Sequence, residues 1–330
     1  MDARENKEIK AAVCGSKAIS SEDVNDFKEK IAKLKKEKNA LIMAHYYQRD
    51  EIQEIADFIG DSLALARKAA ETDADIILMC GVHFMGETAK ILCPQKKVLV
   101  PDAAAGCSLA DSCDPGEFAA FVKAHPGYTV VSYVNTSAAV KAHTDIVVTS
   151  GNARKIIESL PQDEKIIFGP DRNLGEYINS VTGRSMLLWN GACHVHERFS
   201  IERILDMKRQ HPGAKILVHP ECKRPLQMIA DKVGSTAALL DFASKDEARE
   251  FIVVTESGIL FEMRNKCPQK TFLAAPAEDA ECQCNECDYM KMNTLRKVYE
   301  ALLYEKPEII VEPELAAAAI RPINRMLELS

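Results

Sequence analysis

Short apolar runs recur along the chain, each bounded by polar or glycine-containing stretches. Ala40-Leu41-Ile42-Met43-Ala44, Thr129-Val130-Val131-Ser132 and Lys215-Ile216-Leu217-Val218 read as strands. They end at His45, Tyr133 and His219, spaced 88 and 86 residues apart. A second set of runs follows at Ile76 to Met79, Ile166 to Phe168 and Ile252 to Val254, and a third at Val98 to Val100, Met186 to Leu188 and Thr271 to Leu273. Stretches with helical spacing, such as Glu51 to Ile59 and Ser200 to Arg209, lie between them. Strands that are apolar on both faces and alternate with helices predict parallel sheets covered on each side.

The spacing of these runs makes the chain a repeat. Seventeen residues beyond each strand end stands a hydroxyl, Ser62, Ser150 and Thr236, and after the last run of each unit comes a cysteine: Cys107, Cys193, and the group Cys282, Cys284, Cys287. His125-Pro126-Gly127 and His211-Pro212-Gly213 introduce the second and third units at the same offset. The predicted fold class is α/β: three repeated three-layer α/β/α domains with short parallel sheets around a pseudo-threefold axis. The expected divisions are an N-terminal helical extension over 1–38, units over 39–126, 127–212 and 213–304, and a C-terminal helical tail over 305–330 packing on the first unit. Within these, Glu22 to Lys38 reads as a charged surface helix and Met290 to Tyr304 as the helix that closes the third unit.

Composition narrows the function. With 47% hydrophobic and 28% charged residues among 330, the chain has the profile of a folded protein. Its 42 basic against 49 acidic side chains, net charge −7, supply no field for phosphodiester backbones or anionic lipid, so neither nucleic acid nor membrane is an expected partner. The N-terminus opens with mixed charge rather than a secretory pattern, and a cytoplasmic protein is expected. In that compartment 11 cysteines point to metal or cluster binding rather than disulfides.

In parallel sheets ligands collect beyond the carboxyl ends of the strands, so the strand-end residues and the cysteines are expected to face one ligand site. One cysteine per unit puts three thiolates around the axis. That set suits either zinc, for which Cys284 and Cys287 have knuckle spacing, or a 4Fe-4S cluster with one iron open as a Lewis acid. His45-Tyr46-Tyr47-Gln48, Tyr133-Val134-Asn135 and His219-Pro220-Glu221 bring donors, an acid/base carboxylate and an amide to the same place. Ser62, Ser150 and Thr236 precede helix-like segments, where a hydroxyl is ordinarily an N-cap but where free N–H groups also bind anions. A lysine Schiff-base aldolase is a competing enzyme reading, but no lysine ends a strand; an iron–sulfur carrier or zinc scaffold is the non-enzymatic one.

The chain resembles the quinolinate synthase family through His45-Tyr46-Tyr47-Gln48, Gly60-Asp61-Ser62, Cys80 to Lys90, Gly106-Cys107-Ser108-Leu109 and Ser132 to Thr136. The likeness continues through Thr149 to Asn152, Trp189 to Cys193, Val195-His196-Glu197, His219 to Cys222, Gly234-Ser235-Thr236, Met290 to Asn293 and Asn324 to Leu327. The resemblance implies condensation of iminoaspartate (iminosuccinate) with dihydroxyacetone phosphate to quinolinate, phosphate and water, in NAD biosynthesis. It also implies a functional link to an imine-producing aspartate oxidase or dehydrogenase, and a 4Fe-4S cluster with three Cys ligands and one open iron. Carried over residue by residue, the cluster ligands fall on Cys107, Cys193 and Cys287. Substrate contacts fall on His45, Ser62, Tyr133, Asn135, Ser150, His219, Glu221 and Thr236, with His196 beside them. Tyr47 and Glu221, assisted by His45, match the proton-transfer groups. In a low-dielectric cavity the Glu221 pKa is expected to rise towards the working pH.

Overall fold

The computed structural model describes residues 21–278 and 285–330. Cys14, Cys282 and Cys284, and with them the Cys284–Cys287 spacing, lie outside the described residues.

Among the described residues the apolar runs form twelve strands in three four-stranded sheets. The first sheet contains β1 (Ala40–His45), β2 (Phe58–Gly60), β3 (Ile76–Cys80) and β4 (Lys97–Leu99), in the order β2-β1-β3-β4. The second contains β5 (Thr129–Tyr133), β6 (Ile146–Val148), β7 (Ile166–Gly169) and β8 (Leu187–Leu188), in the order β6-β5-β7-β8. The third contains β9 (Lys215–Val218), β10 (Lys232–Val233), β11 (Glu250–Val254) and β12 (Thr271–Ala274), in the order β10-β9-β11-β12. All pairings are parallel and the order is the same three times, so the sequence repeat is a structural one. The central strands are buried along nearly their whole length, as expected of sheets with helices on both faces.

The short edge strands β2, β6 and β10 are not what the pattern predicts. The stretch Glu51 to Ile59, expected as one helix, is a single turn over Asp50–Gln53 followed by β2. An aspartate before each edge strand sets this register. Asp57, Asp145 and Asp231, again 88 and 86 residues apart, accept through a carboxylate oxygen from the backbone N–H of Ile42 (2.9 Å), Val130 (2.8 Å) and Ile216 (2.7 Å). Their own N–H groups donate back to the carbonyls of the same three residues. Each aspartate thus closes a two-bond lock onto the first strand of its unit, before the short edge strand begins. Asp145→Ala and Asp231→Ala should each cost about 1–2 kcal/mol, the scale of a hydrogen bond to a charged group that is partly solvated. The check is a urea midpoint, with the exposed Asp163→Ala as the neutral comparison; equal midpoints for all three would remove the lock from the account.

Two helices pack differently from their expected places. The segment Met290 to Tyr304 divides into Asp288–Lys291 and Leu295–Tyr304, because Thr294 caps the second helix by accepting from Lys297 N–H. Leu295, Val298, Ala301 and Leu302 then bury against Ile31, Ile42, Leu78 and Leu99. This helix therefore covers the first sheet, together with Ser21–Glu37, rather than closing the third unit. The final helix, Pro313–Leu329, lies against β6 and helix Ala138–Lys141 of the second unit as well as helix His83–Leu92 of the first. Its buried Ala319, Ile323 and Met326 join a core shared by these two units.

Candidate active site

The carboxyl ends of β1, β5 and β9 open into one cavity lined by all three units. The residues assigned above as cluster ligands, substrate contacts and proton-transfer groups all line it. His45, Tyr47, Ser62 and Cys107 come from the first unit; Tyr133, Asn135, Ser150, Cys193 and His196 from the second; His219, Glu221, Thr236 and Cys287 from the third.

The hydroxyls are not helix caps. Asp61 caps the helix Ser62–Glu71 by accepting from Ala64 N–H, and Ser235 caps Thr236–Lys245 by accepting from Ala238 N–H. Ser62 and Thr236 are therefore the first helical residues, with side chains free to face the cavity beside helix N–H groups. Ser150 sits in the turn before Ala153–Ser159, with its hydroxyl 3.3 Å from His219 Nε2.

The two strand-end histidines are fixed in the same way. His45 Nδ1 accepts from Tyr47 N–H at 3.1 Å, and His219 Nδ1 accepts from Glu221 N–H at 3.4 Å. An Nδ1 used as acceptor leaves the proton on Nε2, the cavity-facing nitrogen in the case of His219. Burial lowers both imidazoles to a pKa of about 3. For His45 the neighbouring His219 adds to the lowering, whereas for His219 the Glu221 carboxylate opposes it. Both rings are therefore neutral donors at neutral pH.

A line of close polar contacts crosses the cavity wall. The Tyr47 hydroxyl lies 2.8 Å from Thr236 Oγ1 and 2.7 Å from Thr255 Oγ1. Thr255 Oγ1 is 3.0 Å from His196 Nε2, and His196 Nδ1 is 3.0 Å from Glu221 Oε2. The other carboxylate oxygen, Oε1, accepts from the Tyr133 hydroxyl at 2.6 Å. His196 Nδ1 meets that carboxylate as an ion-pair contact without the alignment of a hydrogen bond, and a proton on Nδ1 opposite the anion leaves Nε2 as the acceptor for the Thr255 and Tyr47 hydroxyl protons. Thr255 carries no repeat signal, since the equivalent positions are Gly81 and Pro170. Only the close approach of the first and third units makes it part of the site.

The expected rise in the Glu221 pKa is reversed. Burial does push it upward, but the adjacent His196 and His219 imidazoles and the Tyr133 hydroxyl outweigh burial and hold it at about 2. Glu221 is an anion at neutral pH. Burial and the nearby Glu221 charge keep Tyr47 and Tyr133 protonated well beyond the ordinary phenol range.

The thiols need a second correction. Cys107, Cys193 and Cys287 occupy the same place in each unit, immediately before the four-residue helices Ser108–Asp111, His194–Glu197 and Asp288–Lys291. Burial raises all three thiols, Cys107 and Cys287 to about 12. They do not form the compact donor set expected of a three-cysteine 4Fe-4S centre. Among the described residues, the one group of three metal-capable side chains whose ligand atoms lie within 4.8 Å of one another is Cys193, His196 and Glu221. Cys193 and His196 stand one helical turn apart and Glu221 pairs with His196, whereas Cys107 and Cys287 stand at the heads of helices in other units. The donor set is one thiol, one imidazole and one carboxylate, a mixed set able to hold a metal ion.

Residues 29–328 match the family model described as quinolinate synthetase A protein. The chain belongs to that family. It is 54% identical over 305 residues to the quinolinate synthase of a Synechococcus species, an alignment covering 92% of this chain and 95% of that one. It is 52% identical to the quinolinate synthase of Chloroherpeton thalassium over the same shares of the two chains, and 51% identical to that of Prochlorococcus marinus over 96% of each. Among the described residues no helix is long and apolar enough to cross a membrane.

Proposed function

We propose that the cavity between the three units is where this chain condenses iminoaspartate with dihydroxyacetone phosphate, with Tyr47 and Glu221 moving the protons and His45 assisting. The products are quinolinate, phosphate and water, and the reaction is that of the family to which the chain belongs. The observation that carries the residue assignment is the line of polar contacts from Tyr47 through Thr255 and His196 to Glu221, hydrogen bonds as far as His196 and an ion-pair contact from there.

Both substrates are anions, and the residues facing the cavity suit them. Ser62 and Thr236 stand at helix N-termini, His45 and His219 are neutral donors, and Asn135 presents a buried amide oxygen with no protein partner. That oxygen matches an N–H or O–H group of the imine or the triose. Ser150 and Tyr133 complete the set of substrate contacts. Joining the three-carbon ketose to the imine requires a carbon acid to lose a proton, and expelling water requires a hydroxyl to gain one. The Glu221 anion faces His196 Nδ1, and His196 in turn draws on the Thr255 and Tyr47 hydroxyls. Tyr47, a phenol held protonated, is the donor to a leaving hydroxyl. The same residue accepts a proton back through Thr255 when the cycle closes.

An imine is short-lived in water, so an aspartate oxidase or dehydrogenase that produces it is the partner this chemistry calls for, with both proteins in the cytoplasm. The direct test is quinolinate formation from the two substrates, run on paired substitutions. Thr236→Ala should lower turnover roughly 10-fold or more through loss of a cavity hydroxyl that also holds Tyr47. Ser235→Ala should leave turnover near normal while costing about 1 kcal/mol of stability through the lost cap. Absence of quinolinate with the native chain, or equal turnover effects for the two variants, would count against this reading.

A further inference from the structure

Behind Tyr47 lies a buried ion pair that the chemistry above does not use. Lys291 Nζ is 3.0 Å from Glu256 Oε1, and both side chains are almost wholly withdrawn from solvent, at 4% and 0% exposure. Removing two charges from water costs several kcal/mol per ion, and an apolar pair of similar volume often holds a fold as well or better. The contacts made by each partner show what the charges do here.

Lys291 Nζ donates to the backbone carbonyl of Tyr47 at 2.8 Å. Glu256 Oε1 accepts from Cys287 N–H at 3.1 Å, and its Oε2 accepts from Gly258 N–H at 2.7 Å. Glu256 is also the chain neighbour of Thr255, whose hydroxyl receives Tyr47 at 2.7 Å. One ion pair thus grips both ends of the Tyr47–Thr255 hydrogen bond, the first through the Tyr47 carbonyl and the second through the adjoining residue. The surrounding packing gives this grip a rigid seat. Arg49 donates to the Lys291 carbonyl through Nε (3.1 Å) and a terminal nitrogen (2.8 Å), and Gln53 Nε2 donates to the carbonyls of Tyr46, Gln48 and Gly258. At Gly258 a Cβ would come within 2.8 Å of Tyr47 Cα and 2.9 Å of the Tyr46 carbonyl oxygen, so the two units meet backbone to backbone.

We propose that Lys291 and Glu256 are positioning residues that set the distance between Tyr47 and Thr255, and hence the proton path from the first unit to His196. Neither touches the reacting atoms in this role. The inference rests on Tyr47 as a proton-transfer group. A displacement of about 1 Å at a reacting group is enough to cost on the order of 10²-fold in rate. The loss therefore belongs mainly in kcat, because of the substrate-facing groups only His45 and Thr236 touch Tyr47, whereas Ser150 and His219 pair with one another.

The experiment compares Lys291→Met, and the charge-free pair Lys291→Met with Glu256→Gln, in the native chain and in Tyr47→Phe, measuring kcat and KM for quinolinate formation and the thermal midpoint of each purified protein. The pair variant is expected to fold with a midpoint near the native one, to lose roughly 10- to 100-fold in kcat with KM changed less than about twofold, and to cause no further loss when Tyr47 is already Phe. Recovery of native kcat in the pair variant, or its failure to fold, would assign the charges to stability alone and overturn the proposal. So would an equal loss in both backgrounds. A Tyr47→Phe enzyme with native turnover would instead remove the reading on which the proposal stands, an outcome told apart because it appears in the single variant.

Discussion

Glu221→Gln is expected to lower turnover by roughly 10²-fold or more while leaving the protein folded, the scale of lost general acid–base catalysis. The amide preserves volume and keeps an oxygen for the Tyr133 hydroxyl, which now lies 2.6 Å from Oε1. What it removes is the anion opposite His196. With an NH2 group facing Nδ1 at a distance of about 3.0 Å, two donors confront one another unless the ring moves its proton to Nε2. That tautomer donates to Thr255 instead of accepting from it, so the line from Tyr47 runs backwards and no longer draws protons out of the cavity. Tyr47→Phe breaks the same line at its other end and should cost a similar factor; because both residues act in one chain, the double variant should be little worse than either single one. Steady-state quinolinate formation by the three variants settles the matter. Turnover within about threefold of native in either single variant, or losses that multiply in the double, would leave proton transfer to the substrate phosphate or to water.

The repeat was legible because parallel sheets buried on both faces write their strands as unbroken apolar runs. Two nearly equal intervals, 88 and 86 residues, then align His45 with Tyr133 and His219, and Ser62 with Ser150 and Thr236. The edge strands were less legible for a physical reason. β10 has two residues and β2 three, too few to show any period, and their register depends on Asp57, Asp145 and Asp231, whose spacing was readable in the chain but whose role needed the backbone N–H groups opposite. The caps illustrate a different limit: a hydroxyl at a helix start is an N-cap by default, and only the geometry shows that Asp61 and Ser235, each one residue earlier, take that task. Thr255 and Glu256 were beyond reach, since both matter through a contact between units that no single unit encodes. The thiols show the reverse error. Equivalent sequence positions were read as one ligand set, yet the compact donor set combines Cys193 with the residue one turn along its own helix and with a carboxylate from the third unit.

Acidification should destabilise this protein steeply well above the pH at which its carboxylates titrate. His45 and His219 are buried as neutral rings with pKa values of about 3, against 6.5 for an ordinary imidazole. The unfolded chain therefore takes up two protons as pH falls through 6.5, while the native state takes up neither until about 3. Stability contributed by a depressed pKa is present above the unfolded value and is lost as pH drops, by about 1.4 kcal/mol per pH unit for each group. Between pH 6.5 and 5 the two rings together should remove roughly 4 kcal/mol, a large part of an ordinary folding free energy. The groups facing them do not reverse the sign: His45 meets His219 and Lys291, both of which disfavour its cation, and the favourable Glu221 charge is already included in both low values. Glu221 has its own depressed pKa, so its contribution is lost only between about 4.5 and 2 and leaves the higher window to the histidines. Urea midpoints measured at pH 7.5 and pH 5.0 test this directly, with His45→Gln as the informative variant, because its amide oxygen can still accept from Tyr47 N–H but cannot titrate. The variant should lose about half as much stability over that interval as the native chain. A native midpoint unchanged from pH 7.5 to 5.0 would mean that the cavity admits the imidazolium ion at little cost, and the tautomers assigned from the Tyr47 and Glu221 backbone contacts would have to be abandoned with it.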